Sequence, residues 1–483
     1  MGNTKGKSDL FGKLRFKLST PWIRTVIYIS LVLIVPEYIA PVFSILALIA
    51  ALRDTVASKR KLFAGTSSEP MVLIFILLAA GLIISPNKFS TLQSIGLWFS
   101  ACMIYISLVS VITTRRRLER TIWAFTVAIS LNGIIALLQF FIRSTLGFDI
   151  HLAFWRYFDE SFLKLFGKQM YYFIGERASS TFCNPNVFAE SMAMLLPFAL
   201  YYSCSHRKDL RHNISRILVP LAFIGTMFSF SRGVYLALII VLLVYSLYHI
   251  KKLRFILIAA VIVILLIPPS VYARLLSINE VREFIHSVIT DISAKSVDYE
   301  GSLLDYIITH MQSILTKGVV EESSRLRFDT WLTTIGLIAE KPVFGYGSGY
   351  VTVRDIIMSA GVTVFNTHNF FLQTLMEGGF ALLAAFLWLL GRTVKKGMYV
   401  LRRSSSPKLG LSIECFVTVF LVTGLTDIPT NTPKTMYSFI MGIAIAEAAF
   451  GLYYERRPVP LSSSFPTLGK LIPKAKLKKD KPS

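Results

Sequence analysis

Residues 115–142 read RRRLER-TIWAFTVAISLNGIIALLQFFI, a short basic stretch followed by an apolar run without a single charge. A helix of such length matches the ~30 Å hydrocarbon core of a bilayer, and the arginines before it suit the side from which it inserts. Working outward, the alternation recurs along the chain. Apolar runs fall at about 22–35, 38–52, 71–85, 92–112, 121–142, 187–203, 217–230, 234–249, 255–271, 369–391, 409–426 and 435–453. The reading is an all-α membrane protein of about 12 transmembrane helices. Pro36, Glu37 and Pro41 break the first two runs into a tight helical hairpin.

Composition agrees. Hydrophobic residues make up 54% of the 483 residues and charged residues 16%, against the roughly 25% charged of soluble chains. The net charge of +23 invites a nucleic-acid partner, but its distribution excludes one. The cations gather in 5–24, 53–61, 115–120, 207–216, 251–254, 392–408 and 456–481, on alternate turns of the chain. That is the positive-inside pattern, so both termini are expected in the cytoplasm. Residues 1–21 form a basic tail with no cleavage site. Residues 22–453 form the membrane domain, and 454–483 a Ser/Pro/Lys-rich disordered tail whose lysines rest near lipid headgroups. Two long segments, 143–185 and 272–367, lie on the outer side. The second carries helix-like spacing at 281–292, 303–315 and 325–339, expected to lie along the membrane surface. The four cysteines offer no outer disulfide pair, and no Cys/His spacing suits zinc.

Five segments converge on the outer face. The first is Glu176-Arg177-Ala178-Ser179-Ser180-Thr181-Phe182-Cys183-Asn184-Pro185-Asn186. An asparagine here caps the following helix, yet a cap needs one Asn, and this stretch adds Arg177 and further polar groups. The second is Ser229-Phe230-Ser231-Arg232-Gly233; Arg232 either snorkels to the interface or has a function there. The third, 323–331, sets Arg325, Arg327 and Trp331 on a helix, with Arg327 and Trp331 on one face. The fourth, 342–350, has three glycines whose exposed N–H groups can hold an anion. The fifth opens with Thr367-His368-Asn369, and Asn369, Gln373 and Glu377 recur every four residues as a polar stripe.

These parts suit one task. Clustered arginines bind phosphate or diphosphate by bidentate, charge-assisted contacts. A membrane-embedded mouth suits a substrate with a lipid tail. A histidine takes a proton from a sugar hydroxyl. No carboxylate cluster calls for a metal, and the arginines can stabilise a diphosphate leaving group themselves.

The order of the segments resembles the O-antigen ligase and O-antigen polymerase family of polytopic glycosyltransferases. The pieces that carry the resemblance are Arg177 with Ser180-Thr181-Phe182 and Asn184-Pro185-Asn186, Ser231-Arg232-Gly233, Arg327 with Trp331, Lys341-Pro342 with Gly345-Tyr346-Gly347, and His368-Asn369 with Leu372-Gln373 and Glu377-Gly378-Gly379. Cys183 stands where relatives often carry glycine. The resemblance implies a GT-C-like helical fold in the bacterial cytoplasmic membrane. It implies transfer of a glycan from undecaprenyl diphosphate to an acceptor hydroxyl outside the membrane, with no metal or cofactor. Carried over by position, Arg232 and Arg327 hold the diphosphate, Arg325 is a second candidate beside Arg327, and His368 activates the acceptor. Arg177, Asn184, Asn186, Asn369, Gln373 and Glu377 are candidates to line the substrate site. A flippase and a chain-length regulator are the implied protein partners.

The expected function is polymerisation of lipid-linked repeat units into a capsule, O-antigen or teichuronic-acid-like polymer, the Asn-Pro-Asn version of the motif resembling the polymerase-rich branch. A ligase of the same chemistry is the alternative. A flippase would place its ionisable residues near mid-membrane on broken helices, whereas here they sit at outer ends. A non-enzymatic scaffold leaves the arginines unexplained.

Overall fold

Proline and short polar residues punctuate the apolar runs, and the helices start there. The computed structural model describes residues 20–37, 39–58, 69–147, 177–204, 209–248, 322–362 and 366–454, without the side chains of 246–248 and 322–325. In chain order the described helices are α1 (Pro21–Val32), α2 (Ala40–Ala57), α3 (Glu69–Ile84), α4 (Lys88–Val111), α5 (Arg115–Leu146), α6 (Pro185–Ser203), α7 (Leu210–Met227), α8 (Arg232–Tyr248), α9 (Glu322–Glu340), α10 (Tyr350–Ser359), α11 (Phe370–Arg403), α12 (Pro407–Gly424) and α13 (Pro433–Tyr454). No strand occurs among the described residues. Proline opens α1, α6, α12 and α13, where a missing N–H costs nothing. Asn87, Thr114 and Asn184 cap α4, α5 and α6 through their side chains.

The expected hairpin is present: α1 and α2 pack on each other across the turn at Pro36 and Glu37. The amphipathic helix expected at 325–339 is α9. The expected ninth span, 255–271, and the stretches 281–292 and 303–315 lie outside the described residues, as do the two tails and most of 143–185.

Among the described residues six helices are long and apolar enough to cross a membrane: α2, α4, α5, α11, α12 and α13; α1, α3 and α8 hold shorter apolar stretches. Helix α13 is the inner pillar. It packs on α4, α6 and α11 and buries Tyr437, Phe439, Ile440, Met441, Ala444 and Ile445 completely. Helix α2 shows the converse pattern. It turns Ala47, Ala50 and Ala51 inward and leaves Val42, Ile45, Leu46 and Ile49 exposed. Small residues inward and large apolar residues outward is the arrangement of a helix in lipid, where no hydrophobic gain drives helices together and close packing does.

The ends of the bundle differ. At one end the basic loops meet. Arg117 pairs with Asp54 at 2.8 Å, Arg392 with Glu69 at 2.5 Å, and Arg115 donates to the Ser406 hydroxyl at 3.0 Å. The segments singled out in the sequence gather at the other end, where α3, α7 and α12 finish and α6, α8, α11 and α13 begin.

Candidate functional site

The turn before α6 is built by polar groups that reach it from inside the bundle. The Gln139 side chain accepts from the Ser179 and Ser180 amides at 3.0 and 2.9 Å. Asn132 accepts from the Ser180 and Thr181 hydroxyls at 2.9 and 2.7 Å. Lys434, fully buried, donates to the Thr181 carbonyl at 2.7 Å and lies 4.0 Å from the centre of the Phe182 ring. The Cys183 thiol donates to Glu37 at 3.1 Å. Burial raises the Glu37 carboxyl above its ordinary value, against the opposing charge of Lys434. A turn so heavily braced tolerates Ser180 at φ 54°, a conformation that costs of order 1–3 kcal/mol. Asn184 caps α6 by accepting from the Asn186 amide at 2.8 Å. Arg177 donates to the Ser229 carbonyl at 2.6 Å and to the Asn186 side chain, so it joins the first segment to the second.

Four of the five segments meet around the turn 425–427, which follows α12. The Asn186 amide donates to Asp427 Oδ2 at 3.0 Å. Asn369 caps α11, accepting from the Phe371 and Leu372 amides, and donates to the Leu425 carbonyl at 3.2 Å. Arg327 donates to the Thr426 carbonyl at 3.3 Å. Gly233 packs so closely on Thr426 that a Cβ there would overlap the threonine hydroxyl, which sets Arg232, the first residue of α8, beside the same turn. His368 Nδ1 lies 3.6 Å from Asp427 Oδ1. Trp331 fixes the approach of this loop by donating to the Thr367 carbonyl at 2.7 Å. Arg325 lies on α9 two positions before Arg327, and its side chain is outside the described residues.

Asp427 was not among the residues singled out in the sequence, and neither was buried Glu190 of α6, which interacts electrostatically with both Asp427 and Arg327. Burial pushes the Asp427 carboxyl up, but His368, Arg327 and the Ile428 amide together outweigh it and hold the group below its ordinary value. Asp427 is therefore held as an anion beside Arg327 and His368. Phe230 and His368 have φ of 50° and 46°; with Ser180 they are the non-glycine residues of left-handed φ among the described residues, one in each of three converging loops. Such strain persists only where the surroundings over-determine it.

The glycine-rich fourth segment goes elsewhere. Gly378 and Gly379 break α11 with non-helical angles, and the kink frees backbone groups that the segment 342–350 satisfies. Tyr346 and Gly347 donate their amides to the Met376 and Glu377 carbonyls at 2.7 and 3.0 Å, while Phe380 and Ala381 donate to Pro342 and Val343 at 2.8 and 3.2 Å. The expectation that the glycine N–H groups are exposed for an outside anion is not met: Gly345 donates to the Lys341 carbonyl at 3.1 Å, Gly347 to the Glu377 carbonyl at 3.0 Å, and the Gly349 amide meets the Glu377 carboxylate. The polar stripe is real and internally bonded. Thr367 donates to Gln373 at 3.2 Å, and Gln373 donates to Glu377 at 2.8 Å.

Among the described residues no group of three or more His, Cys, Asp or Glu side chains is placed to hold a metal ion. The arrangement offers two arginines beside a histidine–carboxylate pair at one end of an apolar helical bundle. Arginines so placed can bind a phosphate group by charge-assisted hydrogen bonds. Residues 217–387 match the family model of the O-antigen ligase domain. The resemblance read from the sequence is thereby borne out over those residues, and the match supports an O-antigen ligase- or polymerase-type membrane function. The matched span takes in Arg232, Arg325, Arg327, His368, Asn369, Gln373 and Glu377; Arg177, Asn184, Asn186 and Asp427 lie outside it. No curated protein matches the chain.

Proposed function

We propose that this chain is a membrane glycosyltransferase that polymerises undecaprenyl-diphosphate-linked repeats into a cell-surface polysaccharide. The observation that carries the reading is the convergence of Arg232, Arg327 and His368 on the turn around Asp427. In this reading the chain has about 12 spans in a GT-C-like fold, both termini in the cytoplasm and the site on the outer face of the bacterial cytoplasmic membrane.

The chemistry is a displacement at the anomeric carbon. Arg232 and Arg327 hold the diphosphate by charge-assisted hydrogen bonds. The acceptor hydroxyl oxygen forms the new bond to the anomeric carbon as the bond to the diphosphate oxygen breaks. The leaving undecaprenyl diphosphate keeps that electron pair, and the arginines stabilise its charge. His368 takes the hydroxyl proton. Asp427 beside Nδ1 favours the tautomer that leaves Nε2 as the acceptor and stabilises the imidazolium that forms. Arginines in this role make a metal unnecessary.

A ligase that moves a finished glycan to lipid or protein uses the same atoms, and the O-antigen ligase description of the matching family favours it as the second reading. The size distribution of undecaprenyl-diphosphate-linked glycans in cells lacking the chain separates them. Single repeats accumulating on the outer side support the polymerase. Full-length lipid-linked polymer there supports the ligase, and single repeats trapped inside support a flippase and overturn the transferase reading.

A further inference from the structure

Beside the Asp427 turn lies a cavity of about 50 Å³ that includes Ser94, Trp98, Glu377, Thr430, Asn431 and Met436 in its lining. Thr430 and Asn431 bound it at the site end of the bundle, and Ser94 of α4 and Glu377 of α11 form its sides. Ser94, Glu377, Thr430 and Asn431 are half-buried. The volume suffices for a few waters. A carboxylate, two hydroxyls and a carboxamide provide both donors and acceptors, while Trp98 and Met436 supply apolar wall. That mixture suits the hydroxyl edge of a neutral sugar, whose hydroxyls replace bound waters one for one.

Position decides which sugar. Along the turn, Thr426 faces Gly233 and Arg327, Asp427 faces His368, and Ile428, Thr430 and Asn431 line the cavity. Asp427 thus separates the arginines from the cavity. No cation lines the cavity and one carboxylate does, so it disfavours a diphosphate. A displacement needs the attacking hydroxyl on the side of the anomeric carbon away from the leaving group, held close and aligned. We propose that this cavity is the acceptor subsite, binding the hydroxyl edge of the sugar whose hydroxyl is activated at His368. The inference rests on the transferase reading and names the second substrate of that site.

The test uses the full-length protein in liposomes. The donor is lipid-linked glycan extracted from the cells that produce the chain, and the acceptor is the same oligosaccharide freed of lipid diphosphate by mild acid. Ser94→Ala and Asn431→Ala each remove one side-chain partner, and Ser94→Phe fills the cavity. The expected result is an acceptor KM raised about fivefold to tenfold in each alanine variant, as for a lost hydrogen bond, with kcat and donor KM within twofold of wild type. Ser94→Phe should lose acceptor saturation while binding undecaprenyl diphosphate as wild type does. An unchanged acceptor KM in every alanine variant that folds overturns the inference, as does a loss confined to kcat or to donor KM. The two alanine changes are at half-buried positions, where truncation is tolerated best. A wild-type protein that neither binds undecaprenyl diphosphate nor transfers glycan overturns the transferase reading itself, whatever the variants do.

Discussion

His368 Nδ1 faces Asp427 Oδ1 at 3.6 Å, although the two residues come from loops far apart in the chain. The carboxylate also accepts from Asn186 at 3.0 Å and from the Ile428 amide at 3.0 Å, so its position is fixed before any substrate arrives. Asp427→Asn keeps the shape and removes the charge. Transfer should fall about 100-fold, within the range that a positioned general base supplies. Initial rates of transfer measure the effect, and wild-type rates would remove Asp427 from the mechanism.

His368→Ala removes the base and its contact with Asp427, whose bonds to Asn186 and the Ile428 amide remain. The His368 amide bond to Asn366, at 2.9 Å, belongs to the backbone and survives the change. Transfer should be abolished while the protein remains inserted and melts near the wild-type temperature. Transfer at the wild-type rate by a correctly inserted variant would refute the base assignment.

Arg232→Lys keeps the positive charge and loses the planar fork that binds two phosphate oxygens at once. Transfer should drop at least about tenfold, mostly through a weaker hold on the diphosphate. Isothermal titration with undecaprenyl diphosphate reads the affinity directly. Unchanged affinity would mean that Arg232 only snorkels to the interface.

Much of the fold is legible in the sequence because its signals are local. Apolar run, basic loop and capping Asn each act within a few residues, and described helices fall at the expected spans outside 255–271. The five segments are legible too, as polar clusters in an apolar chain. Asp427 is not, since an aspartate in a Thr-Asp-Ile-Pro turn looks like an ordinary loop residue until Asn186, Arg327 and His368 surround it. Asn132, Gln139, Glu190 and Lys434 had a usable signal, being polar groups within or at the start of apolar runs. The glycine loop misleads for a different reason. Its amides are exposed only if nothing accepts from them, and the carbonyls that do belong to a kink elsewhere in the chain.

That kink gives a stability prediction. Gly379 has φ 62° and ψ −162°, a region open essentially to glycine alone, and a Cβ there would overlap the Val343 carbonyl. Gly379→Ala should cost about 3 kcal/mol or more and sharply lower the yield of folded protein. Gly391→Ala, on the same helix with open space around it, should be neutral or stabilise by up to ~1 kcal/mol. Melting temperatures in detergent test the pair, and equal behaviour would mean that the kink is dispensable.

Glu37 links stability to pH with a definite sign. Burial raises its carboxyl above the ordinary value of 4.5, with Lys434 and the Cys183 thiol and amide opposing the shift. As pH rises above 4.5, the unfolded chain releases this proton while the folded chain keeps it. The unfolded state then binds fewer protons, so stability declines with pH until the folded group ionises as well. The stabilisation is full below the ordinary value and is lost as pH passes the raised one. Glu37→Gln preserves an acceptor for the Cys183 thiol and cannot titrate. The melting temperature of the wild type should fall through that window, and that of Glu37→Gln should fall less steeply. Parallel slopes for the two proteins would mean that another group sets the pH dependence and that Glu37 keeps its charge inside the turn.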